Sequence, residues 1–380
     1  MNYKLTQWLI ITVVLINITA CNKEEKYIIS GTVEVENLKI DSIKIINIID
    51  NKIINSTKVR DGEFLLTGFI DQPTKVRIST SGNVPDFPMI LENDNYAVSF
   101  PSDLHIKGGK INTIIYGYRN LPKYTQVLEE IEDTRKLFIG IDMTNKETVT
   151  NARRIFRDKW KLRYNIVDSY QNKILEGDYS VLTKVFALSI NTDYKNYPIQ
   201  KRLTLYDSYA KQLGDNSLIK LEQERLIKRQ KIEEKEKTLA IGKSYKEISA
   251  KKEDGTVLKL SETISNNKLI LLEFWASWCG PCRGQFPHLK KAYNKYKNKG
   301  FEIYAISLDK NRDKWLKALR EENTIWPNLI DIKAFKSKAA QDYNVFGIPA
   351  SYLIDANGKI VAKNLRDWAL EEKLKELLDE

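Results

Sequence analysis

Cysteine and histidine are both scarce in this chain, which has three cysteines and two histidines among its 380 residues. Three cysteines cannot build the disulfide framework on which small secreted domains depend. A structural zinc site needs four ligands, and only His288 lies near the one close pair of cysteines. The fold must therefore depend on hydrophobic cores, and the hydrophobic share of 42% is enough for roughly two or three domains.

Blocks of like charge are also missing, although the formal net charge is +11. Basic and acidic residues alternate in most of the charged segments, and no block of five like charges occurs. Longer blocks are typical of arms that bind nucleic acid. We therefore expect a solvated, lysine-rich surface and no nucleic-acid partner.

The N-terminal apolar segment is too short to be a membrane span. Trp8–Ala20 has 13 mostly apolar residues after Lys4, whereas a spanning helix needs about 20. This pattern indicates a secretory signal. The residues "ITAC", which end at Cys21, resemble the lipobox of bacterial lipoproteins, and this resemblance implies that Cys21 is acylated and binds a lipid bilayer. The alternative is ordinary cleavage after Ala20, which would leave Cys21 as a free thiol.

The lipoprotein interpretation assigns residues 1–20 to a signal peptide and residues 21–26 to a tether. It predicts a protein anchored by lipid in the cell envelope and facing the periplasm. The outer membrane and the cell surface both remain open as locations.

A β domain is predicted for residues 27–115. Short runs rich in Ile and Val follow one another, separated by turn signals, which favours a sandwich or a small barrel. In "RDGEF", Asp61-Gly62 stands between two such runs and predicts a β-hairpin.

Helices are predicted for residues 116–238. Apolar side chains recur there at steps of three to four residues, which indicates a helix with one apolar face: Phe156, Trp160, Tyr164, Val167 and Ile174. We expect this face to be buried in a core, although an aromatic groove for a ligand is the alternative. The charged segment that follows is interpreted as a solvated helical linker.

Strands and helices alternate in residues 239–380, which predicts an α/β domain. The run "KLILLEFWA" has the continuous apolar character of a central strand buried on both faces. In "SYLIDANGKIVAK", Asn357-Gly358 predicts a hairpin. A Cys-x-x-Cys motif, Cys279 to Cys282, follows the central strand, and such a motif near a strand–helix–strand unit indicates a thioredoxin-like redox site.

Two segments, "EFWASWCGPCRGQFP" and "GIPASYLIDANGKIV", closely resemble the TlpA/ResA-like thioredoxin family of membrane-bound thiol–disulfide oxidoreductases. The resemblance covers about the last 140 residues. Upstream, "GEFLLTGFIDQP" resembles the small β domain that often precedes thioredoxin modules in Gram-negative lipoproteins. The chain is thus expected to be multidomain, with an all-β N-terminal domain, a helical middle and a C-terminal thioredoxin fold.

The expected catalytic groups are two thiols and one carboxyl. Cys279 should begin a helix, where unpaired N–H groups lower the pKa of a thiol, so we assign it as the nucleophile. Cys282, one turn further, should be more buried and should resolve the mixed disulfide. The resemblance implies that Glu273 is a buried acid that exchanges a proton with Cys282. Pro287 is expected to kink the helix that begins at the motif.

The resemblance also implies a substrate surface around the motif. Pro349 matches the cis-proline of the family and would place the Ile348 backbone beside the cysteines, to pair with an extended substrate chain. Trp278, Gly280 and Pro281 are the other expected substrate contacts.

A redox-active Cys279–Cys282 disulfide without metal or other cofactor is therefore the expected chemistry. Haem attachment is excluded because Arg283, and not His, follows the second cysteine. The Gly-Pro dipeptide is that of thioredoxin, a reductant near −270 mV, and strong periplasmic oxidants lie near −120 mV. The sequence thus predicts a reductase of protein disulfides that receives electrons from a membrane partner. The alternative is a non-enzymatic envelope scaffold that uses a thioredoxin fold for docking.

Overall fold

The computed structural model of the protein describes residues 26–33, 40–82, 85–100, 106–139 and 145–379. Cys21 and the predicted signal peptide lie outside these residues. The chain divides into two compact units, Met1–Leu226 and Ile227–Glu380. The domain limits expected at residues 115 and 238 stay predictions. No helix among the described residues is long and apolar enough to cross a membrane.

The first unit begins with a β-sandwich. Its strands form two four-stranded sheets, and apolar side chains from both sheets meet in one core. The strands are β1 (Tyr27–Val33), β2 (Ser42–Asn47), β3 (Ile53–Lys58), β4 (Glu63–Gly68), β5 (Thr74–Thr80), β6 (Phe87–Leu91), β7 (Asn95–Phe100) and β8 (Ile106–Gly108). The strand orders are β4-β1-β7-β8 and β3-β2-β5-β6. The predicted all-β class is confirmed.

The Asp61-Gly62 turn forms, but the hairpin predicted around it does not. Both residues have positive φ, 51° and 77°, and Arg60 and Glu63 exchange two backbone hydrogen bonds across the turn. Beyond this pair, β3 and β4 do not pair with each other, because β3 pairs with β2 and β4 pairs with β1. The turn signal is local, whereas sheet membership depends on which neighbours complete the two faces of the core.

Six helices complete the described part of the first unit and reach the unit boundary. They are α1 (Lys110–Tyr116), α2 (Pro122–Leu137), α3 (Lys146–Glu176), α4 (Val181–Ile190), α5 (Ile199–Leu213) and α6 (Ser217–Thr238). The predicted apolar face of α3 is buried only in its second half, at Val167 and Ile174. Nearer the start of α3, Tyr164 is 45% exposed, and its ring lies 5.9 Å from that of Trp160.

The second unit is built on a mixed sheet of seven strands with the order β10-β9-β13-β12-β11-β14-β15. Its strands are β9 (Ser249–Lys251), β10 (Val257–Lys259), β11 (Leu269–Trp275), β12 (Phe301–Ser307), β13 (Asn328–Ile330), β14 (Ala350–Asp355) and β15 (Ile360–Lys363). Its helices are α7 (Leu260–Ser265), α8 (Gly280–Arg283), α9 (Phe286–Tyr296), α10 (Arg312–Glu322), α11 (Lys338–Asp342) and α12 (Asp367–Leu378).

Helices cover both faces of this sheet. Residues of α9, α10 and α12 belong to one core cluster, and residues of α7 and α11 belong to another. All seven residues of β11 are buried, as predicted for the central strand, and it pairs in parallel with β12 and antiparallel with β14. The hairpin at Asn357-Gly358 joins β14 to β15 as predicted. The expected thioredoxin fold of this unit is confirmed.

Candidate active site

The redox motif and the proline loop leave the sheet at the same edge. Strand β11 ends at Trp275, four residues before Cys279. Strand β14 runs antiparallel to β11 and begins at Ala350, which lies opposite Phe274. The residues that precede β14, including Pro349, therefore emerge beside the residues that follow β11.

The two cysteines of the motif are joined by a disulfide bond. Cys279 is the N-cap of α8, and its sulfur accepts a hydrogen bond from the Cys282 N–H at 3.2 Å. Cys279 is 4% exposed and Cys282 is 1% exposed. The order of burial is the expected one, but the Cys279 sulfur is also largely covered, because in the disulfide form it packs in the core cluster with Trp275 and Phe286.

The sequence predicts one helix kinked at Pro287, but the structure has two separate helices here. Helix α8 ends at Arg283, and α9 begins at Phe286. Pro287 has no N–H to donate to the carbonyl of Arg283, so the first helix ends at Arg283. Pro287 instead lies in the first turn of α9, where a missing N–H is tolerated. The N–H groups that face Cys279 therefore belong to a single helical turn.

The predicted substrate contacts form an exposed rim around Cys279. Trp278 is 61% exposed, and Gly280 and Pro281 are also exposed. Ile348 is half-buried and packs against the core cluster that contains both cysteines. The Ile348–Pro349 peptide bond is cis. The structure thus places these residues around the disulfide, while their roles in binding stay predictions.

Glu273 lies on the face of β11 that is directed toward the cysteines. Side chains alternate between the two faces of a strand, so Glu273 shares a face with Leu271 and Trp275. Both of these residues belong to the core cluster that contains Cys279 and Cys282. The carboxyl group is therefore in the layer where the resolving thiol is buried.

Burial keeps the Glu273 carboxyl protonated at neutral pH. The side chain is 3% exposed, and its neighbours across the sheet, Ala305 and Ser351, carry no charge. Loss of hydration raises the pKa of Glu273 from 4.5 to about 8, although the positive charge of Arg366 acts in the opposite direction. Such a group can hold or release a proton near neutral pH.

Asp309 is a residue of the site that sequence reasoning did not assign. Its carboxylate is 2% exposed and accepts hydrogen bonds from the Ser277 N–H at 2.8 Å, the Ser277 hydroxyl at 2.6 Å and the Ser307 hydroxyl at 2.7 Å. Ser277 is the second residue of the turn that the Cys279 N–H closes on the Ala276 carbonyl, at 3.0 Å. Asp309 therefore holds the turn that leads into the motif.

Arg366 is the second residue of the site that was missed. Its Nη2 atom donates a hydrogen bond to the carbonyl of Pro349 at 2.7 Å. It precedes α12 in a segment with no motif, so no local signal pointed to it. Asp309 did leave one signal, because the "SLD" sequence that ends at Asp309 also resembles the TlpA/ResA-like family.

Replacing Glu273 by glutamine should make stability much less dependent on pH. Because the folded-state pKa is raised, the contribution of Glu273 to stability is fully present below about pH 4.5 and is lost as the pH rises to about 8. The slope is about 1.4 kcal/mol per pH unit, so the advantage of Glu273→Gln should grow to roughly 5 kcal/mol above pH 8. Chemical denaturation of the two oxidised proteins, wild type and Glu273→Gln, at a series of pH values measures this difference in the free energy of unfolding. The exposed Glu253→Gln is the control, and equal pH profiles for wild type and Glu273→Gln would contradict the assignment.

Replacing Asp309 by asparagine should make Cys279 react at lower pH. Two peptide steps of 3.8 Å separate Ser277 from Cys279, so the carboxylate lies on the order of 10 Å from the sulfur. At that distance a negative charge disfavours a thiolate by about one pH unit. The pH midpoint for alkylation of reduced Cys279 should fall by that amount in Asp309→Asn. Ser277→Ala keeps the charge and should leave the midpoint in place; a shift in both variants would mean that geometry alone sets reactivity.

Comparison with known proteins gives matches to both ends of the chain. The model of the AhpC/TSA family matches residues 241–363, and that of a domain of unknown function, DUF4369, matches residues 16–115. A thiol-disulfide oxidoreductase from Bacteroides fragilis NCTC 9343, whose structure is solved, is 36% identical. The match covers 36% of this chain and 100% of that chain, with a TM-score of 0.34.

Among the curated relatives that match this chain are two named as thiol-disulfide oxidoreductase ResA. The thiol-disulfide oxidoreductase ResA of Bacillus thuringiensis subsp. konkukian (strain 97-27) is 29% identical over 144 residues, which are 38% of this chain and 80% of that protein. A ResA of Bacillus cereus is 31% identical over 139 residues, which are 37% of this chain and 77% of that protein. Through its C-terminal thioredoxin-fold domain, the chain belongs to the family of ResA-like thiol-disulfide oxidoreductases.

Proposed function

We propose that this thiol-disulfide oxidoreductase reduces protein disulfides in the cell envelope while Cys21 anchors it to a lipid bilayer. The observation that carries the proposal is the Cys279–Cys282 disulfide at the sheet edge, with Glu273 buried on the same side of β11. The direction is supported by the dipeptide between the cysteines, which is the one found in thioredoxin, a reductant near −270 mV.

The first step is attack by the reduced protein on a substrate disulfide. The Cys279 thiolate bonds to one substrate sulfur, and the other substrate sulfur leaves as a thiolate that takes a proton from water. Cys279 is suited to this role because it lies between the exposed residues Trp278 and Gly280 and is the less buried cysteine of the pair, 4% exposed against 1% for Cys282. The product of this step is a mixed disulfide between Cys279 and the substrate.

The second step releases the reduced substrate. Cys282 loses its proton, its sulfur bonds to Cys279, and the remaining substrate sulfur leaves as a thiolate that takes a proton from water. The ionised form of Glu273, which a pKa of about 8 leaves as a minor fraction at neutral pH, accepts the Cys282 proton, and Glu273 keeps that proton in the resulting disulfide form. Two electrons have then passed from the protein to the substrate.

The cycle closes when a dithiol donor returns two electrons to the Cys279–Cys282 disulfide. An oxidising envelope does not supply them, so the donor is a membrane protein with a reactive dithiol. Its thiolate attacks the same disulfide in the reverse sense, and Glu273 returns the proton to Cys282. The N-terminal β domain and the helices of the first unit have no step in this cycle.

The redox potential tests the proposed direction. Equilibration of the full chain with glutathione should place the Cys279–Cys282 pair nearer to −270 mV than to −120 mV. The protein should also accelerate the reduction of insulin by dithiothreitol, and Cys279→Ser should abolish this activity. Cys282→Ser should instead accumulate mixed disulfides with substrate. A potential near −120 mV would make the protein an oxidant, and full activity in Cys279→Ser would remove the proposed chemistry.

Cell fractionation tests the anchor. The wild-type chain should be found with membranes and enter the detergent phase on phase separation, because stable binding follows when several acyl chains are attached to Cys21. Cys21→Ser removes the attachment point and should move the protein to the aqueous phase. Cys279→Ser is the control for loss of a thiol elsewhere and should stay with membranes. Unchanged partition of Cys21→Ser would reject lipid attachment at this residue.

A further inference from the structure

A groove of about 480 Å³ lies beside the cis-proline in the second unit. Its lining combines polar and charged side chains with the exposed ring of Phe346, and Pro349 forms part of the wall. A substrate chain that pairs with the backbone before Pro349 would pass along this groove.

Two of the charges in the groove neutralise each other. Lys363 Nζ lies 2.6 Å from a carboxylate oxygen of Glu236, and Asn344 Nδ2 donates to the other oxygen of that carboxylate at 2.7 Å. Lys363 is also 5.1 Å from the centre of the Tyr352 ring. The Glu236 carboxylate is thus hydrogen-bonded on both oxygens. Arg366 is the other cation in the lining of the groove, and among the described residues it has no ion-pair partner.

Arg366 is available to an anion. Its one hydrogen bond is made with the neutral carbonyl of Pro349, at 2.7 Å, and among the described residues no carboxylate oxygen lies within the 4.0 Å of an ion pair. The acid that its field does reach, Glu273, is buried and protonated at neutral pH. A guanidinium has five N–H donors in a fixed plane, so several remain to bind a carboxylate.

We propose that the groove beside Pro349 is a subsite for an acidic side chain of the protein substrate, which Arg366 binds while the neighbouring disulfide reacts at Cys279. This inference rests on the proposed function and specifies the class of substrate: an extended segment with Asp or Glu close to the reactive cysteine. Along such a segment, side chains two residues apart lie on the same side, about 6.7 Å from each other. An acid within two residues of the cysteine therefore reaches the groove.

The size of the preference follows from the exposure of the arginine. Arg366 is exposed, so the ion pair forms in contact with water and has the modest strength of a surface pair. We expect roughly a fivefold preference for an acidic over a basic substrate at low salt. The preference should shrink as ionic strength rises, because exposed charges are screened.

The test compares three peptides that differ only in charge. Each contains one internal disulfide, and the two residues on either side of one cysteine are all Glu, all Gln or all Lys. Their reduction by the reduced full chain gives kcat/KM for each. The wild type should favour the Glu peptide over the Lys peptide roughly fivefold, and Arg366→Glu should reverse the order. Arg366→Gln should abolish the preference without introducing a negative charge.

A matched control carries the same change of charge elsewhere. Lys251 is exposed on β9, four strands from β14 in the sheet, which is about 19 Å. Lys251→Glu should keep the wild-type ratio. Any effect of Arg366 on the shape of the Pro349 loop changes all three peptides together, so the ratio isolates the charge in the groove.

The possible failures are distinguishable. Equal rates for the three peptides in the wild type, a preference for Lys, or an unchanged ratio in both Arg366 variants would overturn the subsite while leaving the reductase function in place. If the wild type reduces none of the peptides and also fails to reduce insulin, the proposed function itself is wrong, and the subsite fails with it.

Discussion

Complete burial of β11 is the constraint on which the rest of the catalytic domain depends. Its seven residues are buried between helices on both faces of the sheet. A strand in this position fixes where the chain emerges, and Cys279 follows it by one turn. It also buries Glu273, which is 3% exposed, and burial disfavours the charged form of a carboxyl. The position of the disulfide and the protonation of the acid beside it are thus consequences of a single buried strand.

Features that depend on neighbouring residues could be predicted from the sequence. The central strand is a continuous apolar run, and the Asn357-Gly358 hairpin needs only its own turn residues and the flanking strands. The helix at Cys279 follows from the motif itself. These signals persist because burial and turn geometry act within a few residues. The same reasoning found the Asp61-Gly62 turn, but it could not find the partners of the flanking strands, which are decided across two sheets.

The contacts that tune the site join distant parts of the chain, and no local pattern records them. Asp309 lies 32 residues from Ser277 in sequence, and Arg366 lies 17 residues from Pro349. Each contact depends on how a loop or helix packs against the sheet edge. Many sequences have an aspartate after a strand or an arginine before a helix. The roles of Asp309 and Arg366 are therefore visible only from the hydrogen bonds that they make.

The opposing effects of burial and Arg366 on Glu273 connect substrate binding to proton transfer. Burial raises the pKa of Glu273, and the Arg366 charge lowers it. An anion bound to Arg366 offsets that charge, so the protonated form of Glu273 becomes more favourable. In the proposed mechanism, this is the form that Glu273 adopts when Cys282 gives up its proton to resolve the mixed disulfide. Linkage requires the reverse as well: protonation of Glu273 strengthens the binding of an acidic side chain at Arg366. An acidic substrate would therefore assist its own release as a thiol, through a cation that touches neither cysteine.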